Sequence, residues 1–391
     1  MRTKLIVGSL FAFTALSSSA ALLDSVNIPQ TPQQEAKIEL GKMLWFDPRL
    51  SLSGKISCNS CHDLSTNGAD TKPLSIGYAG RKGTVNSPTV FNAGKQIAQF
   101  WDGRAKNLSE QATGPITNPL EMAMTPELAE GVIRSIPGYR PYFEKAFGSQ
   151  NPTFSEIAEA LAAFESTLTT PNSPFERYVK GDKTALTQQQ IDGLRLFRRS
   201  GCIMCHNGNL LGGTSFQKVG SVRPYITNNP SKGKMDITGK PWDEMMFKVP
   251  ILLNIEKTAP YFHDGAIRTL PEAVGTMADI QLDANLSAKQ VDDIVAFLHS
   301  LNGEVPKIEK PALPPSGPET RKYISESQGP LLRFRCRGFI LCGKNADWFK
   351  APQTKKGARR INPERSNLNL KLRPTCSAER NLNSTSNPKE K

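Results

Sequence analysis

The chain has 391 residues, length enough for about two domains, and its 38% hydrophobic and 22% charged residues exclude a disordered or collagen-like polymer. No run of 18 apolar residues occurs, which argues against a membrane-spanning helix in the mature protein. The net charge of +13 belongs to one end: residues 303–391 carry 19 Lys and Arg against 8 Asp and Glu, and the rest carries 30 against 28. A near-neutral body offers no basic groove, so nucleic acid is not an expected partner.

In chain order, Arg2 and Lys4 precede an apolar stretch at residues 5–16, and Ser17, Ser18, Ser19, Ala20 and Ala21 follow it. That is the order of a secretory signal over residues 1–21, pointing to a bacterial periplasm, with a buried N-terminal helix as the plainer alternative. An oxidising compartment favours disulfides. Four of the seven cysteines are nevertheless spaced for something else.

Cys58-Asn59-Ser60-Cys61-His62 and Cys202-Ile203-Met204-Cys205-His206 are two copies of C-x-x-C-H, the attachment sequence of c-type haem. Two thiols three positions apart on one turn can add to the two vinyl groups of one porphyrin, and the adjoining His then lies under the iron. A zinc site or a redox C-x-x-C does not need His directly after the second Cys in both copies. The copies lie 144 residues apart, about one cytochrome-like domain plus a connection. The expected fold is mostly α, with two tandem cytochrome c-like haem domains at 22–168 and 169–302, long loops on the haem edges, and a disordered, basic tail at 303–391.

Three helices are marked, two of them by capping pairs. Thr153-x-x-Glu156 introduces Ile157, Leu161, Phe164 and Leu168 at helical spacing, and residues 170–174, rich in Pro and Asn, end that helix. A second starts at Thr187 and carries Ile191, Leu194 and Phe197. Ser287-x-x-Gln290 opens a third, with Val291, Ile294, Val295, Leu298 and Leu301 as its stripe and Gly303 as its stop.

The second axial ligand decides function, because a six-coordinate haem suits electron transfer and an open one suits chemistry with a small oxidant. Met235, Met245, Met246 and Met277 all follow the second motif, and spacing does not choose among them. His263, in the segment Tyr261-Phe262-His263-Asp264-Gly265, is either a haem-propionate partner or structural. His299 falls on the surface side of the third helix.

Leu40-Gly41-Lys42 with Phe46-Asp47-Pro48-Arg49-Leu50-Ser51, Asn86-Ser87-Pro88-Thr89-Val90-Phe91-Asn92, Gln99-Phe100-Trp101-Asp102-Gly103-Arg104, Glu121-Met122 and Pro260-Tyr261-Phe262-His263-Asp264-Gly265 resemble the bacterial dihaem cytochrome c peroxidases, over residues 26 to 305. The resemblance implies one haem c per domain, a calcium ion between the domains, and a homodimer. It implies that Met277 is the second ligand of the C-terminal, electron-entry haem, and that Trp101 stands between the haems. Gln111 and Glu121 would flank the peroxide site, Glu121 moving a proton between the peroxide oxygens. Asn86, Thr258 and Pro260 would hold calcium, the last two through main-chain oxygens, as suits a hard cation. On residue type alone, Glu121 reads as a solvated acid in a Pro-rich loop.

One position departs from the resemblance. Typical members carry a histidine that caps the N-terminal haem in the resting oxidised state, where this chain has Tyr78. A phenolate can bind ferric haem, but a loop Tyr more often packs. The MauG branch, which oxidises a protein substrate, also uses a Tyr ligand, but at the position of Met277. The expected activity is reduction of hydrogen peroxide to water with electrons from small cytochromes or cupredoxins. A MauG-like oxidase and a plain dihaem electron carrier are the alternatives. Beyond residue 305, Pro311, Pro314, Pro315 and Pro318 suggest an extended connector, and Cys336, Cys342 and Cys376 fit no haem motif.

Overall fold

The structure, a computed structural model, describes residues 31–321. The expected signal at 1–21, the tail beyond 321 and its three cysteines lie outside the described residues. Within them, α1 (Pro32–Phe46), α2 (Leu108–Thr117), α3 (Pro126–Arg134), α4 (Arg140–Phe147), α5 (Phe154–Glu165), α6 (Pro174–Val179), α7 (Gln188–Arg199), α8 (Met235–Thr238), α9 (Leu270–Leu282) and α10 (Ala288–His299) are joined by long loops. One short antiparallel pair, β1 (Phe216–Lys218) and β2 (Met246–Lys248), sets Gln217 opposite Phe247. No helix among these residues is long and apolar enough to cross a membrane.

The capping pairs Thr153 with Glu156 and Ser287 with Gln290 form, and the helix starting at Thr187 is closed by a box with Gln190 as well; each satisfies two otherwise orphaned N–H groups. The stops differ from expectation. α5 ends at Glu165 and α10 at His299, each followed by a serine cap, so Leu168 and Leu301 are buried just past their helices. Gly303 is required for another reason: a Cβ there would lie 2.0 Å from the Thr170 carbonyl oxygen.

Two hydrophobic cores result, one drawing on residues 36–168 and one on residues 197–301. They are built alike. α1 crosses α5 where Gly41 lets the backbones touch, and α7 crosses α10 at Gly193; a Cβ at either glycine would lie 1.8 Å from a carbonyl oxygen, of Ala160 or Asp293. Phe164 and Phe297 sit one turn on at each crossing, against Trp45 (5.9 Å) and Phe197 (5.3 Å). Those two rings in turn face His62 and His206 at 6.2 and 6.4 Å. The chain therefore makes the same cradle twice, one per haem motif.

Thr170 fastens the halves together. Its hydroxyl accepts from the amides of Asn92 and Asn254, both at 2.7 Å, and its N–H donates to Asn92 Oδ1. Both asparagines adopt positive φ, where a short polar side chain is tolerated. Residues 303–321 form the expected extended connector, but they are not part of a loose tail. Val305, Ile308 and Leu313 pack on the N-terminal core, Pro314 covers Gly138, and Thr320 Oγ1 donates to the Ser135 carbonyl at 3.1 Å. The apolar residues spaced between the prolines supply that contact, which the basic composition of the whole segment hides.

Candidate active site

Each C-x-x-C-H motif forms a short 3₁₀ turn, with the His N–H bonded to the carbonyl of the first Cys, so both thiols and the imidazole are set on one backbone unit. His62 Nδ1 donates to the Gly68 carbonyl (3.1 Å) and His206 Nδ1 to that of Leu211 (3.2 Å). A carbonyl can only accept, so both rings carry the proton on Nδ1 and keep Nε2 free for a metal. Burial lowers both imidazole pKa values and keeps them neutral, as a ligand requires. Burial also pushes the Cys58 thiol up to about 12 and Cys202 up to about 11. Such thiols are held neutral by burial, so they are not free surface nucleophiles.

The two motifs open onto one continuous cavity of about 830 Å³ with largely apolar walls. Of the fourteen site residues expected from sequence, thirteen line it: Cys58, Cys61, His62, Asn86, Trp101, Gln111, Glu121, Cys202, Cys205, His206, Thr258, Pro260 and Met277. Met277, on α9, is the one of the four methionines after the second motif weighed as ligands to reach the cavity. Tyr78 is the exception. Its ring lies under the Arg81 guanidinium at 5.9 Å, its N–H donates to the Glu121 carbonyl (2.7 Å), and it does not line the cavity.

Trp101 is fixed on three sides. Its indole N–H donates to the Asn86 carbonyl at 2.9 Å, its own carbonyl accepts from Lys248 N, and its ring stands edge-on to Phe247 and His263. Glu121 and Gln111 come from the two arms of one reversal. After α2, the N–H groups of Met122 and Met124 return to the carbonyls of Pro115 and Ile116, which folds the Glu121 segment back over the helix that carries Gln111. Burial raises the Glu121 pKa, while a hydrogen bond from Asn118 and the charge of Arg104 act against it.

Sequence reading missed three lining residues, Trp45, Lys248 and Glu165, and left His263 between a haem-propionate partner and a structural role. Trp45 Nε1 and His263 Nε2 are buried without a partner among the described residues, although both rings border the cavity. Unpartnered polar atoms on rings that border an apolar chamber, with two neutral imidazoles and two thiol pairs, fit two covalently attached haems. Lys248 is buried, donates to the Ala98 carbonyl, and has its pKa lowered to about 8 by burial. Glu165 is buried in α5, and desolvation alone raises its pKa to about 8. An acid four residues past Leu161 and seven past Ala158, on the buried face, was the available signal for it.

Glu165 carries a consequence for stability. Its folded pKa lies above the ordinary 4.5, so the folded chain holds the proton longer and stability is lost as pH rises from there toward about 8. Glu165→Gln is expected to flatten that decline in chemical denaturation of the holoprotein at about pH 5 and about pH 9. An unchanged decline would mean that the carboxyl ionises without cost.

Residues 35–184 match the di-haem cytochrome c peroxidase family and residues 190–302 the cytochrome c family. The chain is 50% identical to cytochrome c551 peroxidase of Nitrosomonas europaea over 314 residues, covering 80% of this chain and 94% of that one. It is 34% identical to methylamine utilization protein MauG of Methylorubrum extorquens, covering 73% and 83%. Among solved structures, a MauG-like protein associated with microbial copper homeostasis is similar, with a TM-score of 0.63 and 27% identity, over 73% of this chain and 95% of that one. Two C-x-x-C-H cradles of the same build, opening on one cavity, thus agree with the likeness in sequence, and the chain belongs to the di-haem cytochrome c peroxidase family.

Proposed function

We propose that this protein is a periplasmic peroxidase that reduces hydrogen peroxide to water with electrons from a small c-type cytochrome or a cupredoxin. The observation that carries the reading is the placement of Glu121 and Gln111 together on the cavity wall that also holds Cys58, Cys61 and His62. The overall change, H₂O₂ + 2e⁻ + 2H⁺ → 2H₂O, needs a group that moves protons at the oxygens. The haems, when bound, supply the iron where peroxide is reduced and a store for the second electron. Glu121 takes the proton of the nearer peroxide oxygen and returns it to the farther one, which leaves as water. Gln111 directs its amide toward the same oxygens, and the apolar walls keep bulk water from competing.

Met277, on the wall of the cavity, is read as the second ligand of the C-terminal haem, where a thioether would favour the reduced metal. Met277→His is expected to lower the potential of that haem in a spectroelectrochemical titration, because a stronger donor replaces the thioether. An unchanged potential would assign the ligand elsewhere. Its presence on the cavity wall also weighs against a MauG-like oxidase, in which a tyrosine serves at this position.

Calcium at Asn86, Thr258 and Pro260 is part of the proposal. Asn86 Nδ2 donates to the carbonyls of Lys72 and Pro73, which leaves Oδ1 as the free acceptor. Thr258 and Pro260 carbonyl oxygens accept no hydrogen bond among the described residues. Amide and carbonyl oxygens suit a hard cation. No cluster of three His, Cys, Asp or Glu positioned for a metal accompanies them among the described residues, so the donor set is neutral. A homodimer and the 22–168 and 169–302 haem domains rest on the resemblance and the paired motifs.

The test mixes the holoprotein with peroxide and a reduced monohaem cytochrome. Two reduced cytochromes consumed per peroxide, with water as product, support the reading. Peroxide left unconsumed would favour an electron carrier, and a long-lived oxidised state spent on a protein side chain would favour the MauG-like alternative.

A further inference from the structure

The carboxyl of Glu121 is not left to find its own rotamer. Asn118, the residue that caps α2, donates from Nδ2 to Glu121 Oε1 at 2.7 Å. The amide cannot be turned around, because its Oδ1 accepts from the Leu120 N–H at 3.0 Å, and a backbone N–H only donates. The same residue also shapes the loop: its carbonyl accepts from Glu121 N and Ala123 N, both at 3.0 Å, and Ala123 takes positive φ to close the turn. Asn118 and Glu121 both line the cavity. The other charged group acting on the carboxyl is Arg104, which is paired with Asp102 at 2.7 Å and lies over Phe100. Among the described residues Arg104 makes no direct bond to Glu121, so Asn118 is the contact that fixes one carboxylate oxygen.

We infer that Asn118 is the positioning residue for Glu121: it holds Oε1 and thereby presents Oε2 as the atom that exchanges protons with peroxide. The inference rests on the peroxidase reading of Glu121. A carboxylate with one oxygen tied keeps a single orientation, and a shared amide links the caps of the helix bearing Gln111 to the acid opposite. The arrangement sets the two peroxide-facing groups relative to each other through one side chain.

Asn118→Asp separates this role from loop building, since the aspartate still accepts from Leu120 N but at neutral pH has no proton to donate to Glu121. Asn118→Leu removes both functions. In the holoenzyme, Asn118→Asp is expected to lower kcat/KM for peroxide by about tenfold or more, the scale of one hydrogen bond to a charged group, with haem content unchanged. In a Glu121→Gln background the same change is expected to cost little more, because the carboxylate that Asn118 orients is no longer there to exchange protons. The infrared C=O band of protonated Glu121, identified by its loss in Glu121→Gln, is expected at higher wavenumber in Asn118→Leu, where the donor is removed. Wild-type turnover in Asn118→Asp, or an equal further loss in the Glu121→Gln background, would overturn the inference. A shifted band together with normal turnover in Glu121→Gln would instead show that the hydrogen bond exists and that the peroxidase role of Glu121 is wrong.

Discussion

Glu121→Gln is expected to slow peroxide turnover by about 10²-fold or more, the loss that follows removal of a general acid and base, while haem content and electron uptake stay intact. The side chain keeps its size and its amide partner, so the change isolates the proton. Burial lifts the carboxyl above the usual range, and Asn118 and Arg104 keep part of the lift in check. A carboxyl raised in this way is a better proton acceptor than an ordinary surface carboxylate. The sign of its pH dependence follows from the mechanism: the ionised carboxylate must first accept a proton from peroxide, so turnover is lost as pH falls through the raised pKa. The acid limb of kcat/KM should therefore lie above the ordinary carboxylate range in the wild type and be absent in Glu121→Gln. Steady-state rates with a reduced cytochrome donor across pH check both points, and near-normal turnover in the variant would remove Glu121 from the chemistry.

What could be read from the sequence followed from how local each feature is. The caps at Thr153 and Ser287 are interactions over three residues and formed as expected, and the helix read to start at Thr187 does start there. The C-x-x-C-H turns are equally local. The identity of Met277 as the cavity-facing methionine could not come from spacing, because Met235, Met245 and Met246 stand in the same loop-rich stretch and differ only in where the chain carries them. Glu121 shows the limit most clearly. Beside Pro119 it reads as a surface acid, and only the return of Met122 and Met124 to α2 turns it inward. The matched crossings at Gly41 and Gly193 were also hidden, since each requires a carbonyl about 100 residues or more away in sequence, at Ala160 or Asp293. Long-range packing of this kind leaves no mark in a short window.

The fully oxidised holoprotein is expected to show a high-spin signal from the His62 haem and to react with peroxide without prior reduction. The reason lies in the loop around Tyr78, which the family resemblance makes the position of a capping histidine. Here Ser75, Gly77 and Gly83 line the cavity but Tyr78 does not, and the loop is fixed by its own hydrogen bonds: Tyr78 N to the Glu121 carbonyl (2.7 Å), Gly77 N to the Arg81 carbonyl (2.8 Å) and Gly83 N to the Ser75 carbonyl (2.9 Å). Gly77 is clamped as well, since a Cβ there would lie 2.1 Å from the Leu120 carbonyl oxygen. For the phenol to reach the iron, the contact with Glu121 would have to break, at about 1 kcal/mol net for such a bond, and because tyrosine ligates ferric haem as a phenolate, its proton would have to leave as well. Neither cost is offset by the weak affinity of a neutral phenol for ferric haem. An imidazole changes the balance, because in its neutral form it binds ferric iron without first losing a proton. Tyr78→His is therefore expected to draw the loop inward, convert the oxidised protein to a low-spin form, and make peroxide turnover depend on prior reduction. Electron paramagnetic resonance of the oxidised protein and stopped-flow mixing with peroxide before and after one-electron reduction test both states. If the wild type is wholly low-spin and reacts only after reduction, another side chain gates the iron, and the loop as described here is not the resting one.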